Sequence, residues 1–207
     1  LKVGRGAEGG DALIGAKSTN EGIPVFNIDV LGDETKPSNL GQISSTANAL
    51  AQAVALGDDD NGTVNIATES DRVGDGPDEV ASLTVRDGFG PTGSGVSSLV
   101  WEVNANDFEG DLTIGTSSTE NIAVFTATGG GDVTYEGDYQ TGLAHTVTTG
   151  DGDDDIDVNV ADTASGSVAS ETEVDIDAGD GDNVVTVTNA FSSLSNDATV
   201  TTGSDAD

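Results

Sequence analysis

Beyond residue 62 the chain repeats one phrase: a short apolar alternation, then a corner of Gly, Asp or Ser. The alternations read TVNIAT, VASLTV, SLVWEV, DLTI, IAVF, DVTY, HTV, IDVNV, VDID, VVTV and ATVT. Val, Ile and Thr dominate them, as a pleated, half-buried surface favours. Gly, Asp and Ser punctuate every interval. No run is long enough for an ordinary helix, and the period is two. A string of short strands at close spacing means a solenoid, a sandwich or a barrel. The expected fold class is all-β, a short-strand β-solenoid or β-sandwich. Aromatic residues make up only 4% of the chain, so Val, Ile, Leu and Ala must build the core. Such a core suits thin repeated layers.

The first part of the chain reads differently. A Gly-rich opening, VGRGAEGGDALIGAK, precedes the strand-like IPVFNIDVL at 23–31. Then comes SNLGQISSTANALAQAVALG, in which Leu40, Ile43, Ala47, Leu50 and Val54 fall at helical spacing. Ser38 after Pro37 is a good N-cap and Gly57 a good stop. One amphipathic helix is therefore expected near residues 38–56, covering the core or docking on a neighbouring subunit. The organisation expected is an N-terminal segment at 1–61 and a β-repeat region at 62–207, two parts that can form one continuous domain. The chain begins at Leu1, which suggests a processed product or a piece of a longer one.

Three corners share the pattern G-x-G-x-[DN]-x-Φ, with Φ apolar: GDGPDEV at 74–80, GDGDDDI at 150–156 and GDGDNVV at 179–185. Glycines at 74, 76, 150, 152, 179 and 181 suit a tight corner because they accept positive φ. Their carbonyls can also approach an ion closely. Asp75, Asp78, Asp151, Asp153, Asp154, Asp155, Asp180, Asp182 and Asn183 supply hard oxygens. Carboxylate and carbonyl oxygens, six to eight at ~2.3–2.6 Å, are what Ca²⁺ selects. Ca²⁺ at these corners is the expected cofactor. The alternative is that the acids only keep an acidic, halophilic surface hydrated.

These corners resemble the RTX haemolysin-type calcium-binding repeat, G-G-x-G-x-D-x-Φ-x. Its first Gly is Val73, Thr149 and Ala178 here, and Asn183 stands in place of the third Asp. That family stacks its repeats in tandem and shares each ion between successive turns. Here the two closest corners lie 29 residues apart, which favours isolated sites. A second stretch, VWEVNANDFEGDLTIGTSSTENIAVFTATGGGDVTYEGD, resembles the β-strand-repeat surface proteins of bacteria, S-layer and adhesin-like proteins among them. Phe108, Gly110, Leu112 and Thr113 carry that likeness. It implies secretion, calcium binding and a structural role at the cell surface.

Charge narrows the partners. Thirty-eight acids against 6 bases leave a formal charge of -32. Nucleic acid is excluded as a partner, because its affinity comes from Lys and Arg on phosphates. An anionic membrane surface is excluded likewise, and no apolar run is long enough to insert. Without Cys, neither disulfide nor thiolate chemistry is available. No catalytic constellation stands out. His145, the one histidine, sits in a strand-like run, and the few aromatics leave little for a sugar platform. The expectation is a non-enzymatic extracellular protein that self-assembles into a homo-oligomer or polymer, with both termini buried between subunits. The alternative is a repeat module of a large adhesin. Asn61-Gly62-Thr63 is a glycan acceptor in an exported chain.

Overall fold

The computed structural model describes residues 2–4, 12–13, 25–31, 37–44, 46–47, 63–68, 82–89, 97–98, 100, 102–115, 122–140, 144–161, 173–189 and 197–205. The strands are β1 (Lys2–Gly4), β2 (Ala12–Leu13), β3 (Val25–Leu31), β4 (Ser38–Leu40), β5 (Ile43–Ser44), β6 (Thr46–Ala47), β7 (Thr63–Thr68), β8 (Leu83–Val85) and β9 (Ser97–Ser98). They continue with β10 (Glu102–Asp107), β11 (Leu112–Ile114), β12 (Val124–Ala127), β13 (Val133–Gln140), β14 (Ala144–Thr149), β15 (Asp155–Ala161), β16 (Glu173–Asp177), β17 (Val184–Asn189) and β18 (Asp197–Thr201). The fold is all-β, as the alternations predict, and no helix occurs among the described residues.

Two parallel sheets of short strands dominate. One runs β1-β3-β7-β10-β12-β14-β16-β18 and the other β17-β15-β13-β11-β8-β4. From β10 to β18 the chain alternates strictly between them. A parallel pair requires a crossover, and here each crossover is a corner plus one strand of the opposite sheet. Strands from the opening segment and from the repeat region hydrogen-bond within the same sheets. Two small pairs, β2 with β5 and β6 with β9, complete the described structure.

Period-two alternation turns one side chain in two toward a shared interior. In the first sheet the rows stack in register as Phe26, Val64, Val103, Phe125, Val147, Ile176 and Val200. In the second they stack as Leu40, Val85, Ile114, Tyr135, Ile156 and Val185. Up to Ile176 in the first row and Ile156 in the second, these residues belong to one apolar cluster, against which Val185 packs. Burying each Val or Ile in it is worth ~1.5–3 kcal/mol. Polar residues line the outer faces, including Asn65, which donates to Asn27 one strand away at 2.9 Å.

The core also holds an aromatic chain. Tyr135 stacks on Phe125 with centroids 4.3 Å apart, and Tyr139 stacks on His145 at 3.9 Å. The two tyrosine hydroxyls meet at 3.0 Å. They meet above Gly137, where an added Cβ would lie 3.0 Å from the Tyr135 ring. His145 is a buried strand residue, its Nδ1 2.7 Å from the Ile122 carbonyl.

The helix expected at 38–56 is not seen. Residues 38–40, 43–44 and 46–47 are strands, and most of the remainder lies outside the described residues. Helical spacing misleads here because Gly41 and Gln42 step the chain between two strands. That step carries both Leu40 and Ile43 into the core. The backbone groups a helix would use internally are committed elsewhere. Ile43 N–H donates to the Gly88 carbonyl at 3.1 Å, and the Leu40 carbonyl accepts from Arg86 N–H at 3.0 Å.

Candidate functional site

The corners that carry each strand of the first sheet into the second stack on one another. Those described are 108–111, 128–132, 150–154 and 178–183, between β10/β11, β12/β13, β14/β15 and β16/β17. Glycines stack there because backbone packs on backbone. A Cβ on Gly152 would sit 2.5 Å from the Gly131 carbonyl oxygen, and one on Gly179 would sit 1.9 Å from that of Gly150. Among the described glycines of the sequence motif, positive φ is a second reason only at Gly179 (66°) and Gly181 (127°). Gly150 and Gly152 are required by close approach instead. Gly74 and Gly76 lie outside the described residues, as do Asp75 and Asp78.

Stacking assigns most of the acids a structural partner. The Asp111 carboxylate accepts the Asp132 N–H at 3.3 Å, that of Asp132 accepts the Asp153 N–H at 2.9 Å, and that of Asp153 accepts the Asp182 N–H at 2.9 Å. Asp180 accepts from both the N–H and the hydroxyl of Ser204, at 3.0 and 3.2 Å. A column of carboxylates therefore satisfies amides that a corner leaves without a ladder partner. Asp151 and Asp155 are exposed. The corners at 150 and 179, expected to be isolated, are neighbours: the Asp154 N–H donates to Asn183 Oδ1 at 2.9 Å. Asp111 and Asp132 belong to the same column. Their only signal is a Gly-Asp pair directly before an apolar residue, in GDLTI and GDVTY.

Asp154 is the exception. Its row begins with Ser38, Leu83, Leu112 and Val133, then turns polar at Asp154 and Asn183. It points inward because it lies two residues before Ile156, on the same face. Asp154 is 1% exposed. Its Oδ1 accepts the Val133 N–H at 2.9 Å, while its Oδ2 is buried without a hydrogen-bond partner. The Thr149 hydroxyl is buried in the same condition. Burial pushes the Asp154 carboxyl above the usual carboxylate range, helped by the charges of Asp132 and Asp153. The Thr149 hydroxyl and the Val133 N–H pull the other way, the hydroxyl from outside hydrogen-bond geometry.

One rung on, Asn183 solves the same problem without charge. Its Oδ1 accepts from Asp154, and its amide donates to the carbonyls of Ala178 and Gly179 at 3.1 and 3.3 Å. A carboxylate at that position has no proton to donate to the corner. The Oδ2 of Asp154 is an acceptor that a proton would satisfy, and it and the Thr149 Oγ1 are oxygens of the kind a small hard cation takes as ligands. They are two oxygens, and a full calcium shell would draw its remainder from main-chain carbonyls. Among the described residues no group of three or more His, Cys, Asp or Glu is placed to hold a metal ion. Compared with protein-family profiles, curated proteins and solved structures, the chain matches none.

Proposed function

We propose that this chain is an extracellular structural protein that self-assembles into a surface layer, filament or matrix. Its chain path is that of a β-solenoid, each strand landing beside the one from the previous circuit. The observation that supports this reading is the stacking itself: short parallel strands of both sheets repeat in register, circuit upon circuit, with Gly/Asp corners in one column. The strands β17 and β18 pair on one side only among the described residues. Val184 is 59% exposed and Val200 46%, although Val200 continues the buried row that ends in Ile176.

Calcium belongs to the same proposal. Asp154 and Thr149 would hold it from inside the corner, with Asp151, Asp153, Asp155, Asp180, Asp182 and Asn183 around them, and Asp75 and Asp78 at the earlier corner of the same pattern. A divalent cation there supplies charge neutralisation to a chain at -32. Cations that bind the native state raise its stability as RT ln(1 + [L]/Kd). Electron microscopy of the protein with calcium and with a chelator is the test, beside melting curves in Ca²⁺ and Mg²⁺ at equal ionic strength. Ordered assemblies and a higher Tm in Ca²⁺ support the proposal. Equal effects of Mg²⁺ or NaCl reduce the acids to halophilic surface charge.

The same open circuit favours one other reading, a calcium-stabilised module of a large adhesin, in which the next module of a longer chain covers it. The two differ in stoichiometry, since the module stays monomeric when isolated.

A further inference from the structure

We propose that the outer face of the first sheet carries a groove that binds a linear, neutral glycan. This goes beyond self-assembly and does not depend on it. The groove, about 300 Å³, crosses β3, β7 and β10. Asn27, Asn65 and Asn104 stand side by side along it, one on each strand. The next rung of that face reads Asp29, Ala67 and Asp107. Ala67 has only a methyl group, so the space between the two carboxylates stays open. A bulge sets one wall: β10 holds one residue more between Asn104 and Asp107 than β7 holds between Asn65 and Ala67. Bulges re-aim side chains and are common beside active sites.

The lining selects the ligand. Three amides offer donors as well as acceptors, so a bare cation, which takes only acceptors, is a poor match. Asp29 and Asp107 repel an anion. An apolar ligand would leave the amides and carboxylates it covers unpaired. A neutral, hydroxyl-rich molecule fits, because each hydroxyl both donates and accepts. Among the described residues no aromatic side chain lines the groove, so recognition is by hydrogen bonds rather than by stacking. The amides are set beforehand. Asn65 donates to Asn27 Oδ1 at 2.9 Å, and Asn104 Oδ1 accepts the Asn106 N–H at 3.2 Å. Side chains already ordered cost less to engage. The same row continues in register as Thr126 and Thr148. Strands lie ~4.8 Å apart, so amides and hydroxyls run for about 19 Å from β3 to β14. A regular row of that length suits a chain of repeating sugars better than a single one.

Affinity electrophoresis of the full chain in chelator tests this. Dextran, mannan or hydroxyethyl cellulose in the gel serves as the neutral probe, and polygalacturonate as the anionic control. At least one neutral polymer should retard the unmodified chain, and polygalacturonate should not. Ala67→Gln places a longer side chain between Asp29 and Asp107 and should abolish the retardation. Asp107→Asn keeps the shape of an exposed side chain. It should weaken binding roughly tenfold, through the loss of a hydrogen bond to a charged group. Far-UV circular dichroism checks that both variants keep their β signal, and Asp107→Asn alone decides if Ala67→Gln does not. Equal retardation of all three chains places binding elsewhere and overturns the inference. So does retardation by polygalacturonate alone, or by none of the neutral polymers. Retardation only when Ca²⁺ replaces the chelator makes the groove a cation site and overturns it as well.

Discussion

Asp154 and Asn183 occupy one position in successive corners, and the difference between them is a single proton's worth of chemistry. The amide of Asn183 donates to two corner carbonyls, whereas the carboxylate of Asp154 leaves Oδ2 buried without a partner. An unsatisfied buried polar atom costs ~1–3 kcal/mol. Asp154→Asn should therefore keep the fold and, in chelator at pH 8, raise stability by about that amount. The sign with pH follows from the raised carboxyl. Below the unfolded pKa, ~3.9, both states hold the proton and the penalty vanishes. As pH rises the unfolded state ionises first, so Asp154 destabilises the protein increasingly until its own folded pKa is passed. The gain in Asp154→Asn over the parent should be largest at neutral pH and above, and shrink toward pH 3.5. Denaturant titrations at several pH values check it, and a gain independent of pH would contradict it. If Asp154 holds the cation, the same variant loses the calcium-dependent rise in Tm. Its inward direction was legible, two residues before Ile156, but a run of three acids hides which one shares the apolar face. Nothing in the sequence tells that Asp153 is occupied by the Asp182 amide, because that bond joins residues 29 apart.

At the scale of strands and corners, the alternating runs translated almost directly into strands, since period two with Val, Ile and Thr has one good solution on a half-buried surface. The corners at 150 and 179 were legible from their glycines. Those at 108 and 128 were not, because they lack the full motif: close backbone approach demands Gly129 and Gly131, and positive φ demands Gly130. The expected helix failed for the converse reason: Leu40 and Ile43 match a helical stripe by the accident of a two-residue step. Two glycine substitutions separate the causes at work in the corners. Gly179→Ala meets both a φ of 66° and a carbonyl 1.9 Å from the new Cβ. Strain and overpacking together should cost on the order of 2–4 kcal/mol. Gly130→Ala has a φ of 100° but open space around it. It should cost on the order of 1–3 kcal/mol from backbone strain alone. Chemical denaturation ranks the two, and equal losses would mean that stacking of the corners does not restrict them. In the core, Tyr139→Phe removes the hydroxyl that meets Tyr135 and should cost about 1 kcal/mol.

At the scale of the whole molecule, repulsion among 38 acids opposes both folding and association. Physiological salt screens charges more than ~8 Å apart but not those packed closer, so acids of two copies brought within that distance would need cations between them. No helix among the described residues is long and apolar enough to cross a membrane, and the exposed large apolar residues among them are Val184 and Val200 of the final circuit and Val25 of β3. Deleting residues 198–207 removes most of β18, every residue of which is exposed. The shortened chain should keep its β spectrum and lose assembly, and sizing beside the full chain in Ca²⁺ decides it. The most direct measurement is sedimentation velocity of the full chain at one fixed ionic strength, in chelator and then in millimolar Ca²⁺. Cation-dependent self-assembly predicts monomers in chelator and a ladder of growing species in Ca²⁺, reversed when chelator returns. A single monomer boundary under both conditions would contradict it.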